Sequence, residues 1–285
     1  MKIFLTGGTG YIGSAVLREL AGGGHEVVAM VRSQVAADKV AGPGVTPLIG
    51  DLMDTAWVTE QLANVDGAIH TATPGDESNA AFDSSIATAA VTAFAGTAKP
   101  YLHTGGLWVY GNGSGLSEQS PLHPPALTAW RPQVEDIVLG SDIAGSVVVP
   151  AVVYGRGGGL PNLLSQAPRT ASGARTLIGD GSQHWAVVHV DDLADLYLLV
   201  LLAGRSVGRV VGVNAAAPTV RELAEAVGDE LAAEPVAVTR ARLGKDFADA
   251  LLLDQQFDNG YALGLGWTPS RPSLVEELRS GSYAG

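Results

Sequence analysis

Thr6-Gly7-Gly8-Thr9-Gly10-Tyr11-Ile12-Gly13 is the stretch whose reading decides the fold. Ahead of it lies the apolar, strand-like run Lys2-Ile3-Phe4-Leu5, and behind it residues 11–21 carry a helical pattern. Gly7, Gly10 and Gly13 stand three residues apart. In a strand–turn–helix of this kind the first glycine permits a tight turn and the second lets backbone N–H groups approach a pyrophosphate. The third lets helix and strand pack closely. The helix N-terminus adds positive potential where the anion sits. A glycine triplet alone says little, but between a strand and a helix it points to a dinucleotide-binding βαβ unit. Thr9, Tyr11 and Ile12, set among the glycines, are expected beside the cofactor.

Outward from that stretch, short β-branched runs alternate with helical ones. Residues 3–6, 26–31, 45–48, 67–71, 101–104 and 146–149 read as strands, and 11–21, 35–40, 57–62, 80–95 and 133–139 as helices. The strands are almost continuously apolar, as expected where helices cover both faces of a parallel, doubly wound sheet. The fold class is therefore α/β of the Rossmann type. Beyond Pro150 the rhythm changes: a glycine-rich loop at 154–159 leads into the run 160–167, and a strand pair is expected near 175–178 and 186–190. A helix capped by Asp191-Asp192 should run to about 203, with a strand at 210–214 and a helix at 219–231 that has Glu222 at a capping-box position. The tail from Trp267 holds one short helix. The division this suggests is a dinucleotide-binding domain over 1–150 and a smaller α/β substrate-binding lobe over 151–285, sharing a cleft.

Composition bounds the function. Of 285 residues, 46% are apolar and 16% charged, enough for a real core and unlike a disordered chain. Seventeen basic against 29 acidic residues give −12, a field that repels phosphate backbones, so no nucleic-acid partner is expected. Cysteine is absent, which excludes disulfides, thiolate catalysis and cysteine metal sites. The histidines lack ligand spacing, so no metal site is expected. The longest apolar stretch, 196–203, is too short to span a bilayer. A soluble, cytoplasmic protein without a membrane partner is expected. The alanine-rich run 80–98 would suit close packing against a second copy, as in a homodimer.

Further motifs stand in order along the chain. Gly50-Asp51-Leu52-Met53-Asp54 follows the third strand, and His70-Thr71-Ala72 the fourth. Val109-Tyr110-Gly111, Val153-Tyr154-Gly155, Gly179-Asp180-Gly181 and Val188-His189-Val190-Asp191-Asp192-Leu193-Ala194 come after them. With the glycine turn, this set resembles the extended short-chain dehydrogenase/reductases, the NAD-dependent epimerase/dehydratase-like group, over nearly the whole chain. The resemblance implies that Asp51 and Leu52 meet the adenine. It also implies that Thr71, Ala72 and Thr73, with Pro150, Val152 and Val153, lie along the rest of the cofactor. NAD-specific members carry an acid at the end of the second strand. Here the strand ends Val31-Arg32-Ser33, and Arg32 with Ser33 suits a 2′-phosphate. NADP(H) is therefore expected in preference to NAD(H).

The catalytic pattern departs from the family. Its hydroxyl should precede the Tyr of Val-Tyr-Gly by four residues, where this chain has Gly106. Alignment on Glu135 puts Leu127 at the family's tyrosine and Arg131 at its lysine. The usual proton donor is a tyrosine made more acidic by that lysine; leucine offers no proton, and arginine does not release one. The chain thus resembles an atypical member. Thr104, on the face of the missing hydroxyl, is a candidate to bond the substrate carbonyl. Arg131 could hold ribose hydroxyls or a developing oxyanion, or pair with Glu135 on the helix surface. Tyr110 is the nearest phenol, and His184 with Trp185 could edge the cleft. The reading is an NADP-dependent oxidoreductase acting on a carbonyl-like group of a small substrate, apolar because Leu107, Trp108, Leu127 and Trp130 fall around it. A nucleotide-sugar epimerase or dehydratase, or a non-catalytic NADP-binding sensor, are the alternatives.

Overall fold

The computed structural model describes residues 1–283. Its first half alternates β1 (Lys2–Thr6), α1 (Tyr11–Gly22), β2 (Glu26–Val31), α2 (Gln34–Val40), β3 (Val45–Ile49), α3 (Thr55–Ala63), β4 (Gly67–His70), α4 (Asn79–Phe94) and β5 (Pro100–Thr104). There follow β6 (Gly113–Leu116), α5 (Arg131–Leu139), β7 (Ala144–Pro150), β8 (Val152–Tyr154), α6 (Asn162–Ser165), β9 (Arg175–Thr176), β10 (Val187–His189), α7 (Val190–Leu202) and β11 (Gly208–Gly212). The chain ends α8 (Val220–Ala226), β12 (Leu231–Ala232), α9 (Val236–Leu243), α10 (Lys245–Leu251), β13 (Gln255–Phe257), α11 (Gly260–Gly264) and α12 (Leu274–Ser280). Polar side chains start several helices: Ser33 accepts from Ala36 N–H, Asp54 from Trp57 N–H, and Thr219 with Glu222 forms the full capping box expected of them.

The expected doubly wound sheet is present, seven strands in the order β11-β7-β5-β4-β1-β2-β3. Every pairing in it is parallel. Strand order reverses between β1 and β4, and the crevice beyond the carboxyl ends of such a switch point is where ligands bind in open α/β sheets. Leu20, Leu193, Leu196 and Val200 on one face and Val58, Leu62, Ile86 and Val138 on the other bury the sheet between two helical layers. Val152, Tyr154, Ile178, Trp185, Leu223 and Leu274 build a third core in the lobe. No helix among the described residues is long and apolar enough to cross a membrane.

Four expectations need correction. The boundary at Pro150 does not divide the sheet, because β11 pairs with β7 and α7 packs on α1. The two strands expected to pair near 175–178 and 186–190 do not meet. β9 pairs with β12, and β10 with β8. The helix expected to reach Leu231 stops at Ala226, because Leu231 is taken up as the partner of β9. Helix α7 is capped not by Asp191-Asp192 but by His189, whose Nδ1 accepts from Asp191 N–H at 3.1 Å.

Asp192 has another task. Fully buried, its carboxylate accepts from the backbone N–H groups of Ser270 (2.9 Å) and Arg271 (3.2 Å) and so ties the tail to α7. Hydrogen bonds to a charged acceptor contribute about 1.5–3 kcal/mol each, so losing both in Asp192→Ala should lower the unfolding free energy by about 3–6 kcal/mol. A urea midpoint equal to the parent's would show that the tail is held by other contacts.

Candidate functional site

The glycine turn is shaped by close approach. Gly7 has φ +76°, and a Cβ there would stand 2.6 Å from Ala72 N and 2.7 Å from Thr71 Oγ1. A Cβ at Gly13 would stand 2.1 Å from Gly7 O and 2.5 Å from Thr71 Oγ1. Thr71 Oγ1 donates to Thr6 O at 2.7 Å and locks the β1–α1 turn to the segment after β4. Gly10 differs: a Cβ there meets only Gly7 O, at 3.2 Å. Helix α1 starts at Gly10 without a side-chain cap, and the N–H groups of Tyr11, Ile12 and Gly13 have no acceptor among the described residues. This is an open anion cradle at the switch point.

Beside it lies a cavity of about 480 Å³. Of the expected cofactor residues, Tyr11, Ile12, Thr71, Ala72, Thr73, Arg131, Pro150, Val152 and Val153 line it. Leu107, Trp108, Leu127 and Trp130 supply the apolar wall expected of them. Thr9 and Gly10 are exposed in the turn alongside, while Gly7 and Gly13 are consumed by its packing. Arg32 and Ser33 are exposed at the end of β2, and Arg32 has no ion pair among the described residues. Asp51 is exposed after β3 and accepts from Met53 N–H at 2.9 Å. Leu52 is buried in the core with residues of α3 and α4 and does not line the cavity. Tyr11 also closes the cavity rim: its hydroxyl donates to Gly155 O at 2.8 Å, and burial pushes its phenol far up, so it stays a donor.

The proposed catalytic trio does not assemble as expected. Tyr110 does not line the cavity; its ring is fully buried edge-on against Phe257 at 5.1 Å. Thr104 does line it, but its hydroxyl is committed. It donates to His70 O at 2.5 Å and accepts from Tyr197 OH at 2.6 Å, so its proton points away from the cavity. Arg131 is well placed. Its guanidinium lies over the Trp130 ring at 4.6 Å, and Nη1 donates to Thr104 O at 3.2 Å. The surface pair with Glu135 does not form, because Glu135 turns inward and binds Arg209 Nε at 2.7 Å. Gly105 permits this: a Cβ there would stand 2.8 Å from Glu135 Oε1. His184 pairs with Asp254 at 2.8 Å and Trp185 is buried in the lobe, and neither lines the cavity.

Sequence reasoning missed Asp83, an acid in an otherwise apolar and small-residue helix. Its buried carboxylate lies 3.2 Å from His70 Nε2, 3.6 Å from His103 Nε2 and 4.0 Å from Arg131 Nη1. Thr6 Oγ1 accepts from Thr71 and Ala72 N–H, so its own proton goes to His70 Nδ1 at 2.8 Å and leaves Nε2–H for Asp83. Tyr101 OH stands 3.0 Å from His103 Nδ1. Burial alone would raise the Asp83 carboxyl; hydrogen bonds from His103 and His70 outweigh it and hold it well below the usual carboxylate range. Burial pushes His103 down, so that ring is neutral. Asn79 and Gln255 were also missed. Asn79 accepts from Thr73 Oγ1 at 2.9 Å, and Gln255 donates to Leu107 O at 3.1 Å and Gly111 O at 2.7 Å, steadying two walls. The lone acid in α4 was a signal; Gln255, 148 residues from Leu107, left none.

A seven-stranded parallel sheet with an uncapped glycine turn at its switch point and a cavity beside it defines a Rossmann-type protein of the extended short-chain dehydrogenase/reductase kind. The sequence profile of the NAD dependent epimerase/dehydratase family matches residues 3–214, and the chain belongs to that family. An uncharacterized protein of Saccharomyces cerevisiae is 31% identical over 300 positions, covering 98% of both chains. The crystal structure of human epimerase family protein SDR39U1 with NADPH superposes with a TM-score of 0.76 at 22% identity, covering 99% of each chain. MoeE5 in complex with UDP-glucose and NAD superposes with a TM-score of 0.76 at 22% identity, covering 99% of this chain and 97% of that one.

Because the Thr104 hydroxyl serves the framework, Thr104→Val leaves the buried Tyr197 hydroxyl without its partner. A buried group left without its partner costs about 1–3 kcal/mol, so the variant should unfold at clearly lower urea concentration. Unchanged stability with altered ligand binding would return Thr104 to the role first expected of it.

Proposed function

We propose that this chain is an oxidoreductase dependent on a nicotinamide dinucleotide, NADPH in preference to NADH, and acts on a carbonyl-like group of a small, rather apolar molecule. The observation that carries the reading is the open N-terminus of α1, where Tyr11, Ile12 and Gly13 offer free N–H groups over a glycine with room in front of it. These residues fit a pyrophosphate. Arg32 and Ser33 would hold a 2′-phosphate, Asp51 the adenine end, and Thr71–Thr73 with Pro150, Val152 and Val153 the nicotinamide end. When bound, the cofactor supplies hydride-transfer chemistry. The chain's own part is to exclude water with Trp108, Leu127 and Trp130 and to present the fixed Arg131 charge. The human relative solved with NADPH supports the choice of cofactor.

Relatives that take nucleotide sugars keep the same scaffold, as MoeE5 with UDP-glucose does. The replacement of the family's tyrosine and lysine by Leu127 and Arg131 weighs against that chemistry here. Purified protein assayed for dinucleotide binding, then for nicotinamide absorbance with ketones, aldehydes, imines and quinones, separates the readings. Turnover of any of them sinks a pure sensor, and tight cofactor binding with inertness throughout supports one.

Arg32→Asp should weaken NADPH binding at least tenfold more than NADH binding, since a charge-assisted contact is worth about 1.5–3 kcal/mol and about 1.4 kcal/mol is tenfold. Equal losses for the two cofactors would leave Arg32 a surface charge. Gly10→Val should fold, because Gly10 has φ −82° and its Cβ would meet only Gly7 O at 3.2 Å. Its branched side chain should nevertheless abolish dinucleotide binding, checked by calorimetry on protein shown folded by circular dichroism.

A further inference from the structure

We propose that Tyr283 is a positioning residue for the ligand cavity: from the tail its hydroxyl fixes the glycine loop 155–159, and that loop in turn holds the Tyr11 ring at the start of α1. The proposal goes beyond the reading above in giving the tail a task, and it rests on that reading only for the claim that a dinucleotide lies over the first turn of α1.

The glycine-rich loop that follows β8 belongs to no strand or helix, yet three distant segments meet on it. From α1, the Tyr11 hydroxyl donates to Gly155 O at 2.8 Å. The Tyr11 ring fills the space that side chains on the loop would need. A Cβ at Gly158 would stand 2.8 Å from Tyr11 Cδ2, and one at Gly159 would stand 3.1 Å from Tyr11 Cε1. From α7, the Asp191 carboxylate accepts from Arg156 Nε at 2.9 and 3.0 Å. From the tail come three more bonds. Gly155 N–H donates to the Tyr283 hydroxyl at 2.8 Å, that hydroxyl donates to the Gly158 carbonyl, and Gly157 N–H donates to Ser282 Oγ at 2.7 Å. One phenol thus bridges a donor and an acceptor three residues apart and sets the curvature of the loop. Arg156, inside that bridge, is the one non-glycine with positive φ among the described residues, at +53°. Such a conformation persists only where surrounding contacts impose it.

The tail is itself anchored. Ser282 N–H and Oγ donate to Glu277 Oε2 at 3.0 and 2.6 Å, and the Tyr283 ring packs on the core of the lobe. Burial pushes the Tyr283 phenol up, so the hydroxyl stays protonated and keeps its donation to Gly158. At its other face the loop meets the cavity. Gly159 and Leu160 line it together with Tyr11, whose backbone N–H is one of the free donors of the cradle. A shift of the Tyr11 ring carries that N–H with it, so whatever clamps the loop also sets the pyrophosphate end of the site. Dinucleotide affinity is therefore sensitive to a hydroxyl that touches no ligand.

The test measures NADPH affinity of the full protein by calorimetry. Tyr283→Phe keeps the ring on the lobe core and removes the bridge, and it should weaken binding about tenfold, the scale of one hydrogen bond. Tyr11→Phe should weaken binding similarly. The double variant should bind no worse than the weaker single, because both hydroxyls act through one loop. Losses that multiply in the double variant would overturn the proposal, as would a Tyr283→Phe variant that binds like the parent. Hydrogen exchange on the same variants sets a merely structural role apart. The amides of Gly155, Gly157 and Gly158 should exchange faster in Tyr283→Phe, while those of Val148 and Val210 in the sheet keep the parent's rates. Faster exchange throughout the sheet would mean general loosening and would sink the claim. Exchange needs no ligand, so a parent that binds neither NADPH nor NADH yet shows the local change would defeat the reading above and leave the loop clamp standing. Tight binding untouched by Tyr283→Phe would do the reverse.

Discussion

No room exists for a Cβ at Gly7 or Gly13 against Thr71, and the rest of the molecule is arranged around that contact. It brings the segment after β4 hard against the β1–α1 turn, with the Thr71 hydroxyl on the Thr6 carbonyl as the clasp. Helix α1 can then leave the turn with its first N–H groups unspent, and α7 packs along it from the second half of the chain. The cavity lies beside this turn, at the point where strands wind left and right of β1.

Charge in the interior is handled by pairing rather than avoided. Asp83 is surrounded by two histidines and an arginine, Glu135 reaches Arg209 across α5 and β11, and Asp192 holds the backbone of the tail. Each ties a helix to a neighbouring strand or to the tail. A buried ion pair adds little net stability over a hydrophobic one, but breaking it is costly, so such pairs fix which segments meet. Around the cavity the result is a rigid wall: Arg131 is held between Trp130, the Thr104 carbonyl and the field of Asp83.

Loss of the family's tyrosine and lysine changes the character of the site rather than emptying it. Where the family places a titrating phenol beside a lysine, this chain has a leucine wall and a permanent cation.

The sequence by itself determined the class of fold. Gly7, Gly10 and Gly13 between a strand and a helix need only local geometry to be understood, and the substitutions at Gly106, Leu127 and Arg131 follow from position along the chain. The apolar wall was legible too, since Leu107, Trp108, Leu127 and Trp130 flank those positions. Only the tertiary structure decided how the polar groups are spent. The Thr104 hydroxyl goes to a carbonyl 34 residues away and a phenol 93 residues away, and Glu135 chooses an arginine 74 residues on over the one four residues before it. Thr128 is left without a partner. Periodicity and propensity act over one or two turns of chain, whereas a hydrogen bond forms between whichever groups packing leaves within about 3 Å. That selection is made by the folded core.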